Sequence, residues 1–426
     1  MKVPHRKYEI RCPIHGFIEV NDWERAIIDQ PAFQRLRRIR QLAWTDHIYP
    51  GAMHTRFEHS LGVMYTASLI YDAVVRNSPD VLRPELAYND DGLKRDRQLV
   101  RLAALLHDVG HGPFSHAAEE LLPNRDDKPE KYKHEHYSAG IIRTKLKLAI
   151  EDHELNANYG FRAEEIATLL EGSSRAKQRL FWRDLIDGQM DADRMDYLLR
   201  DAYHAGVQYG RFDLHRLVNT ACAIRADGEE NGGAPRLGIR EGGIHGAEGL
   251  VLARYFMFTQ VYFHKTRVAF DIHLRHALKE LLPGGVFPKP LSAQLDEYLA
   301  WDDWRVLGLI AAGEGGEHGR RLAKRDHFRK IYHTPEVTKR ADLTKLERVK
   351  KSVGPLLAAE ESAAKSWYKT DKADIPVLGQ AEKLAPLSTY SSVLANLKKS
   401  NQILLYSKSE DAEAAQKKAY EVLRRS

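Results

Sequence analysis

Leu105-Leu106-His107-Asp108-Val109-Gly110-His111-Gly112-Pro113-Phe114-Ser115-His116 runs from the end of an apolar helix into a turn. An imidazole beside a carboxylate offers two ligands of hard to intermediate character that suit a divalent metal. Neighbours in sequence do not share a helix face. His107 and Asp108 can therefore converge on one ion only where the helix ends, and Gly110, Gly112 and Pro113 supply that break directly downstream. A His-Asp pair alone is as readily a buried histidine bonded to its neighbour. The crowding of His111 and His116 against the same apolar segment singles this pair out.

Outward from this run, most of the chain reads as helix. Pro31 to Leu42, Ser60 to Val75, Arg97 to His107, Ala163 to Leu170 and Ala247 to His264 carry apolar residues at spacings of three and four. Cys222 to Gly243, with its Asp-Gly, Asn-Gly-Gly and Glu-Gly-Gly turns, predicts a small β hairpin excursion. After Pro283-Gly-Gly285 the character shifts. Ile375-Pro-Val377 and Ile403-Leu-Leu-Tyr406 predict short strands, and the tail from Glu410 predicts a helix. The reading is a mostly α fold with a mixed α/β C-terminal region. It divides into a catalytic domain over residues 1–283, with a metal core at about 50–215, and a region 284–426 that packs on it and contributes to oligomerisation.

At 426 residues the chain can form one large domain or two or three ordinary ones. No run of about 18 apolar residues is present to span a bilayer, and Met1-Lys-Val-Pro-His-Arg-Lys7 lacks the apolar stretch of a signal peptide. Cys12 and Cys222 are too few for a disulfide framework or a thiolate metal site, so a reducing cytoplasm is the expected compartment. Lys plus Arg exceed Asp plus Glu by 65 to 59, a balance that suits phosphate-bearing partners without separating nucleic acid from nucleotide.

A metal site needs ligands from several elements. His59, in His54-Thr-Arg-Phe-Glu-His59, precedes an apolar helix, and Asp187 to Tyr197 is dense in carboxylates at another helix start, where N-capping accounts for one or two of them. Asp193, Tyr197 and Asp201 recur every four residues and so share a face. His59, His107, Asp108 and Asp193 together make a mixed nitrogen and oxygen set for a divalent ion. Arg56, Arg194 and Arg254 supply the charge that a polyphosphate requires. The combination points to phosphoester chemistry.

The succession Arg56-Phe-Glu-His59-Ser-Leu-Gly62, Leu106 to His116, and Met190-Asp-Ala-Asp-Arg-Met-Asp-Tyr197 resembles the HD phosphohydrolase superfamily. Within it, the likeness is to the SAM-and-HD-domain deoxynucleoside triphosphate triphosphohydrolases and their bacterial relatives. It extends through Pro13-Ile-His-Gly16, Asp29 to Arg37, Gln41-Leu42, His134-Glu135 and Val261 to Lys265, in order over residues 8 to 270, and more weakly from Pro386 to Tyr406. The resemblance implies an HD-domain helical fold with His59, His107, Asp108 and Asp193 as ligands of Fe, Mn, Zn, Co or Ni. Asp193 would also belong to the catalytic set. His111, His116 and His134 match residues that contact phosphates or move protons, with His116 as the acid for the leaving 5′ oxygen.

The implied reaction is hydrolysis of a dNTP to deoxynucleoside and inorganic triphosphate, with Mg accompanying the nucleotide. Arg56, Arg194, Tyr197 and Arg254 match triphosphate contacts, Arg194 standing where the relatives carry lysine. Gln41, Leu42, Asp201 and Tyr262 match a sugar pocket that excludes a 2′-hydroxyl. Asp29, Gln34 and Arg37 match a guanine-reading activator site for GTP or dGTP at a subunit interface, implying a homodimer or homotetramer; a surface salt bridge would use the same residues. Arg11-Cys12 and Ala43-Trp44 depart from the pattern. Trp44, beside the substrate loop, is expected to narrow or reshape the base pocket, so nucleotide and activator preference stay open, as does the choice between nucleotide-pool control and phage defence. Two other readings stand beside this one: an HD enzyme for ribonucleotides, modified nucleotides or nucleic-acid ends, and a nucleic-acid-binding module with a vestigial metal site.

Overall fold

The Arg56–Asn77 helix is buried on almost every side, with Leu61, Val63, Met64, Ala67, Ile70 and Val74 in the main apolar core. The computed structural model describes residues 7–85, 89–126, 129–225, 235–365, 374–380 and 383–424. Against Arg56–Asn77 pack the helices Asp90–Leu106 and Ala192–Ala205. Close approach needs a small residue at the crossing: a Cβ at Gly62 would lie 1.9 Å from Asp196 Oδ1. The fold is mostly α with small sheets, and among the described residues no helix is long and apolar enough to cross a membrane.

Arg97 to His107 falls inside the Asp90–Leu106 helix, which Asn89 caps through a bond from the Gly92 N–H; His107 closes its C-terminus, so the expected helix break lies at the His-Asp pair. Ala163–Leu170 forms as predicted. Pro31 to Leu42 does not stay helical. Pro31–Gln34 is α, Arg35–Arg38 tightens to 3-10, and Ile39 is extended, because the backbone at Arg40 leaves the helix to pair with Thr55. Ala247 to His264 is also interrupted: Ile244–Met257 is α, and the chain then widens into a π turn over Phe258–Tyr262. Such turns re-aim side chains and concentrate at functional sites.

The strands Ala221–Ile224 and Arg236–Arg240 pair antiparallel as the predicted excursion, whose tip at 226–234 lies outside the described residues, as do 1–6. Arg236–Arg240 then pairs parallel with Pro376–Leu378, which pairs with Leu384–Pro386. Ser400–Ser407 is central between Arg329–His333 and Ala359–Lys365. The sequence reading did not include an N-terminal hairpin, Lys7–Cys12 with Gly16–Asn21, whose turn carries His15 onto the helical core. The tail helix spans Ala412–Arg424.

Candidate active site

The C-terminal end of Asp90–Leu106, the start of Arg56–Asn77 and the start of Ala192–Ala205 meet at one point. There His59 Nε2 lies 3.0 Å from Asp193 Oδ1 and 3.5 Å from Asp108 Oδ2, while His107 Nε2 lies 3.3 Å from Asp108 Oδ1 and 3.7 Å from Asp193 Oδ1. Each imidazole is fixed through its other nitrogen: His59 Nδ1 bonds Asp196 Oδ2 at 2.8 Å, and His107 Nδ1 bonds the Ala104 carbonyl at 2.8 Å. The two Nε2 atoms are buried and complete no hydrogen bond among the described residues. Buried polar atoms without partners are costly unless something else meets them, and imidazole nitrogens aimed with carboxylates at one point suit a divalent cation. These residues fit a metal, and His59, His107 and Asp108 offer ligand atoms within 4.8 Å of one another.

Burial works against ionisation of Asp108, but Arg56, His107 and His111 hold its carboxyl well below the usual range. Burial also opposes charge on His59, yet the adjacent carboxylates of Asp193 and Asp196 push it up to about 10. That is the signature of a spot with surplus negative charge. Asp191, by contrast, caps Ala192–Ala205 through the Arg194 N–H at 2.7 Å, so one carboxylate of this acidic run has a local structural task.

A cavity of about 520 Å³ opens from this cluster, lined by Gln41, Leu42, Arg56, Tyr197, Asp201, Arg254 and Tyr262 as well as His107, Asp108, Asp193, His111, His116 and His134. Tyr262, at the end of the π turn, donates its hydroxyl to Asp201 Oδ2 at 2.6 Å, and His54 bonds Asp201 Oδ1 at 2.7 Å. Arg56 pairs with Asp108 and donates to Ser115 Oγ at 2.7 Å. Arg194 also lines the cavity, with its guanidinium folded onto Asp191 and the Gly188 carbonyl.

His111 is 1% exposed with neither ring nitrogen hydrogen-bonded among the described residues, and burial, Arg56 and His134 hold it well below its ordinary range and therefore neutral. Its ring stacks on His134 at 3.8 Å. The closeness depends on Gly110, where a Cβ would stand 2.1 Å from the Ser138 backbone nitrogen.

Asp29, Gln34 and Arg37 do not line this cavity. Arg37 Nε donates to Gln34 Oε1 at 2.8 Å and its guanidinium covers the Phe57 ring, whereas Asp29 lies 3.6 Å from Arg25. Nor does Trp44 line it. Ala43 adopts φ 48°, turning the chain so that Leu42 faces the cavity and the indole, 4% exposed, stacks between Phe114 at 5.0 Å and Phe270 at 5.9 Å. The expectation that Trp44 shapes a base pocket is thereby corrected: it is core.

Two site residues escaped the sequence reading. Glu119 bonds His134 Nδ1 at 2.7 Å and His116 Nδ1 at 3.0 Å; burial disfavours its charge, but His116 and His134 hold it well below the usual range. Its three-residue spacing from His116 was the available signal. Asp196 is wholly buried and meets His59, His15 Nε2 at 2.6 Å, and Arg200 Nε and a terminal nitrogen at 2.8 Å each. Its position in the acidic run was visible, but its partners were not.

The chain matches the HD domain family over residues 56–201 and the HD associated region family over residues 212–425. It belongs to the HD-domain phosphohydrolases. Among its relatives, the uncharacterized protein YwfO of Bacillus subtilis is 33% identical over 365 residues, covering 78% of this chain and 74% of that one. The human deoxynucleoside triphosphate triphosphohydrolase SAMHD1 is 34% identical over 241 residues, covering 52% of this chain and 37% of that one. The chain thus spans little more than a third of the human protein's length. A crystal structure of a hypothetical protein from Aquifex aeolicus superposes with a TM-score of 0.78 at 29% identity, covering 97% of this chain and all of that one.

Proposed function

We propose that the protein hydrolyses deoxynucleoside triphosphates to deoxynucleoside and inorganic triphosphate. The observation that carries this reading is the joining, in one cavity, of the His-Asp cluster, Arg56, Arg194 and Arg254, and the bonded Tyr262–Asp201 pair. The first recommends a metal, the second a polyphosphate, and the third a hydroxyl-bearing ring whose size is limited by a packed phenol. The similarity to SAMHD1 supports the same substrate class.

His59, His107, Asp108 and Asp193 would hold a transition metal, and Mg would accompany the nucleotide. When bound, the metal neutralises phosphate charge and lowers the pKa of a water from about 15.7 towards roughly 7. Arg56, Arg194 and Arg254 receive the triphosphate, Arg56 and Arg194 exchanging their present carboxylate partners for phosphate oxygens. His111, neutral, can accept a proton or a hydrogen bond. Glu119 engages His116 Nδ1 and leaves Nε2 free for substrate. The bond between the α-phosphorus and the 5′ oxygen breaks as a water oxygen bonds to phosphorus, the water's proton passing to neutral His111 and the proton of His116 to the leaving 5′ oxygen. Tyr262 and Asp201 hold the sugar, with Gln41 and Leu42 closing beside it. Asp29, Gln34 and Arg37 are retained as a GTP or dGTP activator site.

Purified protein loaded with Mn or Fe is incubated with each dNTP and NTP, with and without GTP, and the products are resolved by ion exchange. Triphosphate and deoxynucleoside are expected. Pyrophosphate with a monophosphate, or turnover confined to ribonucleotides, refutes the reading.

A further inference from the structure

Phe114 and Ser115 are consecutive non-glycine residues in the left-handed region, with φ 56° and 57°. For such residues this conformation is unfavourable and persists only where surrounding contacts impose it. The strained pair directly precedes His116.

Three contacts hold it. The Phe114 N–H donates to Asp303 Oδ1 at 2.7 Å; Ser115 Oγ donates to the Arg40 carbonyl at 2.7 Å; and the Phe114 ring stacks on Trp44 with planes 6° apart. Asp303 is 1% exposed, and its Oδ2 accepts the Arg40 N–H at 2.8 Å, so one buried carboxylate ties both segments together. The same stretch grips the loop elsewhere. Tyr298 donates to the Gly110 carbonyl at 2.7 Å, and Arg35 bridges the Trp301 and His111 carbonyls. Residues 298–303 lie in the associated region, far in sequence from the metal-facing helices, and Asp303 does not line the cavity.

We propose that Asp303 is a positioning residue for His116, setting where the imidazole stands by holding Phe114 and Ser115 left-handed. This rests on the proposed role of His116 as the acid. The side chain of His116 is 62% exposed, and Glu119 is its one ion-pair partner among the described residues, so its location follows its backbone. Without Asp303, two buried amides lose their acceptor and the turn relaxes towards ordinary φ values, carrying His116 with it. His59 and His107 are bonded separately to Asp196 and the Ala104 carbonyl, so their imidazoles stay in place; Asp108 meets Arg56, which also donates to Ser115 Oγ, so metal content is measured beside turnover.

The test compares leaving groups in full-length protein carrying Asp303→Asn, whose amide offers one acceptor where two are needed. A deoxynucleoside alkoxide needs a proton to leave; the nitrophenolate of bis(4-nitrophenyl) phosphate does not. The turnover of dNTP is expected to fall about 100-fold, within the range of a lost general acid, while turnover of the nitrophenyl ester and metal content stay unchanged. His116→Ala gives the same pattern, and the double variant is no slower than His116→Ala alone. Equal losses on both substrates, or additive losses in the double variant, overturn the proposal while leaving the function standing. Wild-type protein inactive on every dNTP overturns the function and this proposal with it. If Asp303→Asn does not fold, Asp303→Ser is put through the same comparison and decides by the same outcomes.

Discussion

Replacing Asp196 by asparagine removes a charge from the centre of a wholly buried set without changing its shape. Burial raises the cost of that charge, yet Arg200, His15 and His59 hold the carboxyl well below its usual range, so the native state depends on its being ionised. Arg200 is equally buried, and in the variant its guanidinium has no counter-charge at 2.8 Å. Breaking a buried pair from one side costs about 3–5 kcal/mol. With an unfolding entropy of about 2.1 cal/mol/K per residue over 426 residues, the expected fall in Tm is about 3–6 °C.

The second effect is on the metal. His59 is oriented through the Nδ1 bond to Asp196, and loss of such an outer carboxylate weakens metal binding about 10–100-fold. Scanning calorimetry of metal-free protein reads the first effect and competition with a chromogenic chelator reads the second. A double variant, Asp196→Leu with Arg200→Met, should regain much of the lost stability, because the stranded charge is gone, but none of the lost affinity. A single variant that melts within about 1 °C of wild type, below the shift expected for an uncompensated buried charge, and competes equally for metal would refute the reasoning.

Tyr262→Phe deletes the 2.6 Å bond to Asp201, a bond to a charged acceptor worth about 1.5–3 kcal/mol, so kcat/KM for dNTP should fall at least about tenfold and the preference over NTP should shrink. An unchanged dNTP to NTP ratio in steady-state assays counts against the sugar assignment. Trp44→Ala empties a site between Phe114 and Phe270 and should cost about 3–5 kcal/mol by denaturant titration while leaving the ranking of the four bases intact; a reordered ranking would return Trp44 to the base pocket. Burial, then His318 and Arg321, lowers His273 to about 3 from 6.5. Between those values the unfolded chain binds the extra proton, so this contribution is complete above pH 6.5 and declines as pH falls towards 3, by up to roughly 1.4 kcal/mol per pH unit. His273→Gln, which keeps an acceptor for the Phe328 N–H, should flatten that slope, and an identical slope would refute the assignment.

What could be read from the residues alone was whatever repeats locally. The helices with regular apolar spacing, the break after His107 and the shared face of Asp193, Tyr197 and Asp201 all follow from a period of 3.6. Pro31 to Leu42 defeated that rule because Arg35 and the Arg40 backbone are bound by Trp301 and Asp303, which sequence spacing cannot reveal. Trp44 was misjudged for a similar reason: its neighbour Leu42 does reach the cavity, and only the left-handed Ala43 turns the next side chain away. The N-terminal hairpin strands are only six residues each; Lys7–Cys12 does alternate polar and apolar residues, a period-2 signal that was present but lay beside a chain dominated by helical spacing.

His15 and Asp196 stand 181 positions apart, which gives the hairpin a consequence for synthesis. A ribosome extending the chain at about 5–20 residues per second makes His15 many seconds before its carboxylate partner exists. Through that interval His59 also lacks Asp196, and Arg200 has yet to emerge. The centre therefore cannot be organised step by step from the first residues onward; it must close late, after the chain has passed Arg200 and paid the entropy of a very long loop. Nascent chains arrested just before Asp196 should hold metal poorly even though all four proposed ligands have already been made.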